Sequence, residues 1–182
     1  MPLVKSGKVV TDGYQRVEDG AVVPERGAII VPAARFLADH EELACHDGPV
    51  GVIWPNNRSV AELAPFVDQL ALIALAFPTY KDGRAYSQAR LLRERYGFRG
   101  ELRATGQVLR DQFLFLLRAG FDAFEVAKPA DAEAFEEAAR RYSVFFQPTG
   151  DGRVTVARAR GGHGAHAAPP AMVGPADKCV PA

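Results

Sequence analysis

The chain has 182 residues, 48% of them hydrophobic and 24% charged, and its 22 basic side chains balance 22 acidic ones. This is the composition of one ordinary globular domain, and zero net charge argues against a protein driven as a whole onto nucleic acid or an anionic membrane. Two cysteines, Cys45 and Cys179, lie far apart and outside any CxxC pair, which argues against a cysteine-built zinc or iron–sulfur site and points to a reducing compartment.

The first 26 residues read as an N-terminal arm. The opening MPLVKSGKVV has neither the continuous apolar core nor the cleavage site of a secretory leader. The longest apolar run, Leu70 to Pro78, is too short for a bilayer span. A cytoplasmic protein without membrane contact is expected. Gly27 to Val31 reads as a buried strand, Pro32 suits a first helical turn, and Ala33 to Leu43 continues as helix. Val50 to Trp54 is a second strand, Pro55-Asn56-Asn57 a loop, and Ser59 the N-cap of a helix reaching Gln69.

The run LALIALAF from Leu70 to Phe77 is apolar at every position, as fits a strand covered on both faces. Asp82-Gly83 opens a helix whose inner stripe is Ala85, Ala89, Leu92 and Tyr96, and Gly97 and Gly100 end it. Glu101 to Ala104 is the next strand and Gly106-Gln107 its turn. Val108 to Leu117 is a helix with Leu109, Gln112, Phe113 and Leu116 on one side, closed by Gly120 as C-cap. Phe121 to Val126 is a further strand, Asp131 caps a helix to Tyr142, and Val144 to Gln147 is a last short strand.

Five successive strand–helix units predict an α/β protein with a mostly parallel sheet of about five to six strands in βα repeats. The arrangement expected is a partial TIM-type barrel or an open doubly wound sheet. The predicted organisation is an arm over 1–26, a single α/β domain over 27–149, and a Gly/Ala/Pro-rich tail over 150–182 that reads as disordered.

In such a sheet the loops after the strands share one rim, where ligands meet helix N-termini. That rim gathers Asn56, Asn57 and Arg58, then Lys81, Asp82 and Arg84, then Thr105, Gly106, Gln107 and Arg110, and finally Lys128. Basic residues outnumber acidic ones between Phe77 and Phe124, so the rim suits a small oxyanion such as phosphate, sulfate or sulfite. The anion-binding candidates are Lys81, Arg84, Arg103, Gln107 and Arg110, and the acid–base candidates are Asp82, Glu101 and Asp111. Structural roles compete with these: Asp82 as a helix cap, and Arg90, Arg93 and Arg95 as a solvated helix face. Alternation sets Glu101 and Arg103 on one face of a strand, free to pair with each other or with Glu125.

The four histidines, His40, His46, His163 and His166, are scattered, and no metal site is expected. No GxGxxG follows a strand, and GxxxxGK[ST], GxSxG and HExxH are missing, so nothing in the sequence supports NAD, flavin, haem or iron–sulfur ligation.

Taken as a string, FPTYKDGRAYSQARLLRERYGFRGELRATGQVLRDQ with the following RAGFDAFEV resembles a bacterial family of unknown function. That family is associated, as an oxidoreductase, with sulfite reduction and is encoded beside assimilatory sulfite reductase. DGR, YSQARLLRERYGF, GELRA and LRDQ occur in the family's order and spacing. The likeness runs more loosely from Ile29 to Gln147, taking in GVIWPNN and FFQP. The resemblance implies a role in assimilatory sulfur metabolism, with sulfite reductase components as partners. The family often carries Gly at the position of Ala85 and Cys at that of Ala119, so a thiol at the second position is not available to this chain.

The expected function is that of an accessory protein of sulfite or sulfate reduction with a basic anion-binding rim, serving as an electron-transfer or assembly partner of the reductase. Two alternatives stand beside it. One is an enzyme acting on a phosphorylated or sulfated metabolite through Asp82, Glu101 or Asp111. The other is a non-catalytic dimeric interaction module, because a small open sheet leaves an edge or face that a second copy or a larger partner can cover.

Overall fold

The computed structural model describes residues 1–149 and 153–160. Eight strands form one curled sheet: β1 (Leu3–Lys5), β2 (Lys8–Val10), β3 (Gln15–Arg16), β4 (Ile29–Pro32), β5 (Val50–Trp54), β6 (Leu72–Phe77), β7 (Glu101–Gly106) and β8 (Ala123–Glu125). Their order across the sheet is β2-β1-β8-β7-β6-β5-β4-β3. Strands β3 to β8 are parallel, whereas β1 is antiparallel to both β2 and β8.

From β3 to β8 each strand lies beside its successor in the chain. Right-handed crossovers that always step the same way leave all the helices on one face, so the sheet curls into a half-barrel. A doubly wound sheet needs a reversal of strand order, and there is none here. The expectation of about five to six strands is therefore corrected to eight in a mixed sheet. The arm supplies the difference, lending β1 and β2 to one edge and β3 to the other.

The helices are α1 (Ala33–Ala38), α2 (His40–Ala44), α3 (Arg84–Arg90, continued as a π turn over Leu91–Arg95), α4 (Phe113–Ala119), α5 (Asp131–Arg140) and α6 (Val156–Arg160), with 3₁₀ turns at Val60–Phe66 and Arg110–Gln112. Ser59 caps the first 3₁₀ turn, its Oγ accepting from the Ala61 N–H at 3.3 Å. Pro65 inside that segment lacks a donor and blocks a longer α-helix. Among the described residues no helix is long and apolar enough to cross a membrane.

Alternation along the strands decides which face each side chain joins. Leu102 and Ala104 of β7, Phe124 of β8, and Trp54 and Phe77 face the helices, where they meet Ala85, Ala89, Leu92, Phe98, Phe113 and Phe121 in one continuous buried core. Each large apolar side chain removed from water there contributes about 1.5–3 kcal/mol. The concave face carries a smaller apolar group, Ile30, Leu72 and Ala74, with Tyr14 and Ile53 against it.

The segment Val144–Gln147 does not join the sheet. Phe145 makes one isolated bridge with Thr155 instead, and β1 already occupies the edge of β8 where a further parallel strand would add. Of the tail over 150–182, residues 153–160 are described and include α6; the remainder, with Cys179, His163 and His166, lies outside the described residues.

Candidate functional site

Two groups of charged residues emerge, one on the concave face and one on the rim at the C-terminal ends of the strands. The concave group is centred on Arg103, whose β7 register projects it away from the helices, with an exposure of 1%. Its Nε donates to Glu101 at 2.9 Å, and its two terminal nitrogens donate to Asp12 at 2.6 and 3.1 Å, one of them also reaching Glu125 at 3.5 Å. Glu125 further accepts from Thr105 Oγ1 at 2.6 Å and from Arg16 at 2.5 Å, and Glu101 accepts from Lys5 Nζ at 2.7 Å.

The group therefore holds Lys5, Arg16 and Arg103 against Asp12, Glu101 and Glu125, three cations to three carboxylates. Tyr14 lies against the guanidinium, its ring centroid 5.6 Å from Cζ. Burial works to raise the Asp12 carboxyl, but the hydrogen bonds from Arg103 and the Tyr14 N–H, with the charges of Arg103 and Arg16, hold it below the usual aspartate value. Burial likewise opposes the charge on Arg103, and its carboxylate partners more than restore it.

On the rim, Asp82 and Arg84 form a two-point pair, Arg84 Nε to Oδ1 at 2.9 Å and a terminal nitrogen to Oδ2 at 2.6 Å. That pairing first, then the Arg84 N–H and the nearby Asn56 amide, hold the Asp82 carboxyl well below the carboxylate range despite some desolvation. Lys81 lies over the Tyr80 ring at 5.6 Å. Gln107 Oε1 accepts from the Tyr80 N–H at 3.3 Å, an approach set up by Gly106, whose φ of 95° and close passage to the Phe77 carbonyl leave no room for a Cβ. The preceding loop is pinned by Gln88, which donates to the carbonyls of Pro55 at 3.0 Å and Arg58 at 2.7 Å.

The predicted anion-binding residues thus divide. Lys81, Arg84 and Gln107 share the rim, Arg103 engages the concave group, and Arg110 donates to Asp131 at the start of α5. The acid–base candidates divide as well. Asp82 pairs with Arg84, Glu101 with Lys5 and Arg103, and Asp111 is exposed on the helix side, lining a cleft with Leu114 and Phe115. There its charge, after burial, helps push the Tyr86 hydroxyl up to about 12.

Of the remaining basic block, Arg90 pairs with Glu94 on the helix surface. Arg93 is a half-buried tie rather than part of a solvated face: it donates to the carbonyls of Gly120, Phe98 and Gly100 and to Asp122. The partners contributed by the arm, Lys5, Asp12 and Arg16, are absent from the sequence-based candidates. Asp12, Tyr14 and Arg16 do stand at alternating positions, the period-2 mark of a strand face, and that was the available signal.

Among the described residues no three His, Cys, Asp or Glu side chains gather as metal ligands. Comparison with curated proteins gives no match. Residues 51–157, more than half of the chain, match a family described as "Bacterial protein of unknown function (DUF934)", and the chain belongs to that family.

Proposed function

We propose that the protein is a cytoplasmic accessory protein of assimilatory sulfite reduction that works by associating with the sulfite reductase system rather than by catalysing a reaction of its own. The observation that carries this reading is the neutralisation of Asp82 and Glu101, two of the three acid–base candidates, while the third, Asp111, lies exposed on the helix side. Asp82 is paired with Arg84, Glu101 with Lys5 and Arg103, and Arg110 with Asp131. A general acid or base needs a proton it can exchange with substrate at working pH, and carboxylates held by guanidinium forks stay ionised and occupied. The sequence resemblance to a family encoded beside sulfite reductase supports the choice of partner. Ala119, where many relatives carry a thiol, is buried in α4, which supports a mechanism without thiol chemistry.

The oxyanion part of this reading falls on Lys81 and Arg84. A sulfite ion there competes with Asp82 for the Arg84 fork, so its affinity is expected in the millimolar range, about 4 kcal/mol of binding. The test has two arms. Sedimentation of the purified protein with sulfite reductase is expected to give a joint species, and independent migration at micromolar concentrations overturns the proposal. Calorimetric titration with sulfite is expected to give weak heat that disappears in Lys81→Ala and Arg84→Ala; heat unchanged in both variants removes the rim from the reading.

A further inference from the structure

On the helix side of the molecule, α3, α4 and the chain after α5 enclose a groove of about 600 Å³. Its apolar lining includes Phe115, Tyr142, Val144 and Phe146, which are 65%, 55%, 42% and 86% exposed. Phe115 sits in the middle of α4, between Phe113 and Leu116 that face the core, on the side a short surface helix ordinarily gives to polar residues. Four large apolar side chains turned into one open groove form a patch of the kind that marks an interaction surface.

The charge around the groove specifies the chemistry of what fits it. The residues lining it include no Asp or Glu and two arginines, Arg90, which is paired with Glu94, and Arg118. Arg118 lies flat over the Phe145 ring, 4.0 Å from its centroid, and donates to the Gln147 carbonyl at 2.5 Å and to Thr149 Oγ1 at 3.4 Å. It is thereby fixed in place with its charge matched by no carboxylate among the described residues. One wall is supplied by residues between Tyr142 and Thr149, a stretch that carries no acidic side chain.

We infer that this groove docks an acidic amphipathic segment of a partner protein, its apolar side chains between Phe115 and Phe146 and its carboxylates against Arg118. Apolar anchors at helical spacing, flanked by acidic residues, match a groove of this length and sign. The inference rests on the proposed function only for the identity of the partner; the groove and its charge are independent of it.

Fluorescence anisotropy with the full chain tests it, using as probe a synthetic helix-forming peptide with Leu and Phe at i, i+3, i+4 and i+7 and Glu elsewhere, beside a twin with Lys replacing Glu. The acidic peptide is expected to bind saturably and more weakly as salt rises, and the twin not to bind. Phe115→Ser and Phe146→Ser, both at exposed positions, are each expected to weaken binding about tenfold, with Arg118→Gln reducing its salt dependence. Equal binding of the twin, or unchanged binding in all three variants, overturns the inference. So does a dimer in sedimentation velocity that Phe146→Ser dissociates, which gives the groove to a second copy, or flotation with phosphatidylglycerol vesicles lost in the same variants, which gives it to a lipid surface. Sulfite reductase association that persists in Phe115→Ser and Phe146→Ser removes the groove and spares the accessory role. Peptide binding without reductase association does the reverse.

Discussion

Arg103 is a guanidinium placed inside a sheet, and its cost of burial is offset only because Glu101, Asp12 and Glu125 all reach it. Removing the cation leaves the carboxylates facing one another in a partly dry space, which is worse than never having buried the pair. Arg103→Met is therefore expected to lose about 3–5 kcal/mol of stability, read as a lower urea midpoint, and a midpoint equal to wild type contradicts the network's structural role. Asp12 adds a pH dependence. Its folded carboxyl lies below the unfolded value, so its contribution is fully present above the ordinary aspartate pKa of about 4 and is lost as pH falls below that toward the folded value. Asp12→Asn should accordingly be less stable than wild type at neutral pH, with the gap closing in acid. A gap that is constant with pH assigns the loss to packing instead.

At the level of elements, the turn between α4 and β8 shows how one backbone conformation joins three segments. Gly120 ends α4 in the left-handed region, with φ of 103°, and a Cβ there would lie 2.7 Å from Arg93 Cγ. Arg93 in turn donates to the carbonyls of Gly120, Phe98 and Gly100. Gly120→Ala is expected to cost about 1–3 kcal/mol, from backbone strain and displacement of Arg93 together, measured as a drop in melting temperature; an unchanged melt shows that Arg93 does not tie the segments.

The central strands and Gly120 were legible in sequence because each combines a hydrophobic period with a local stop signal. The arm's strands were not read, because segments of two or three residues are too short to show a period. Beside the alternation of Asp12, Tyr14 and Arg16, their local sign is the Ser6-Gly7 pair, both at positive φ, which makes the tight hairpin between β1 and β2. Val144–Gln147 has strand-like composition, but the edge of β8 is taken by β1, a fact of topology that composition does not carry. The site was half legible for the same reason. Alternation sets Glu101 beside Arg103, whereas Asp12, 91 residues from Arg103 in sequence, has no local mark of its destination.

For the whole molecule the arm works as a clasp, pairing β1 with β8 and β3 with β4, and roofing the concave face between them. Deleting residues 1–17 strips both sheet edges and uncovers Arg103. The shortened chain is expected to lose its cooperative urea transition and to associate through the exposed edge of β8; a sharp transition in a monomeric product contradicts the clasp. The same pairing has a consequence for synthesis. Leu3 lies opposite Glu125 and Arg16 bonds to that same glutamate, so both leave the ribosome more than a hundred residues ahead of this partner. The nascent sheet must grow without the pairing of β1 to β8, and contacts of such long sequence separation are slow to close. Completion of the fold is thus tied to the emergence of β8, and a ribosome stalled before Ala123 holds a chain whose β1–β2 hairpin has no sheet edge to join.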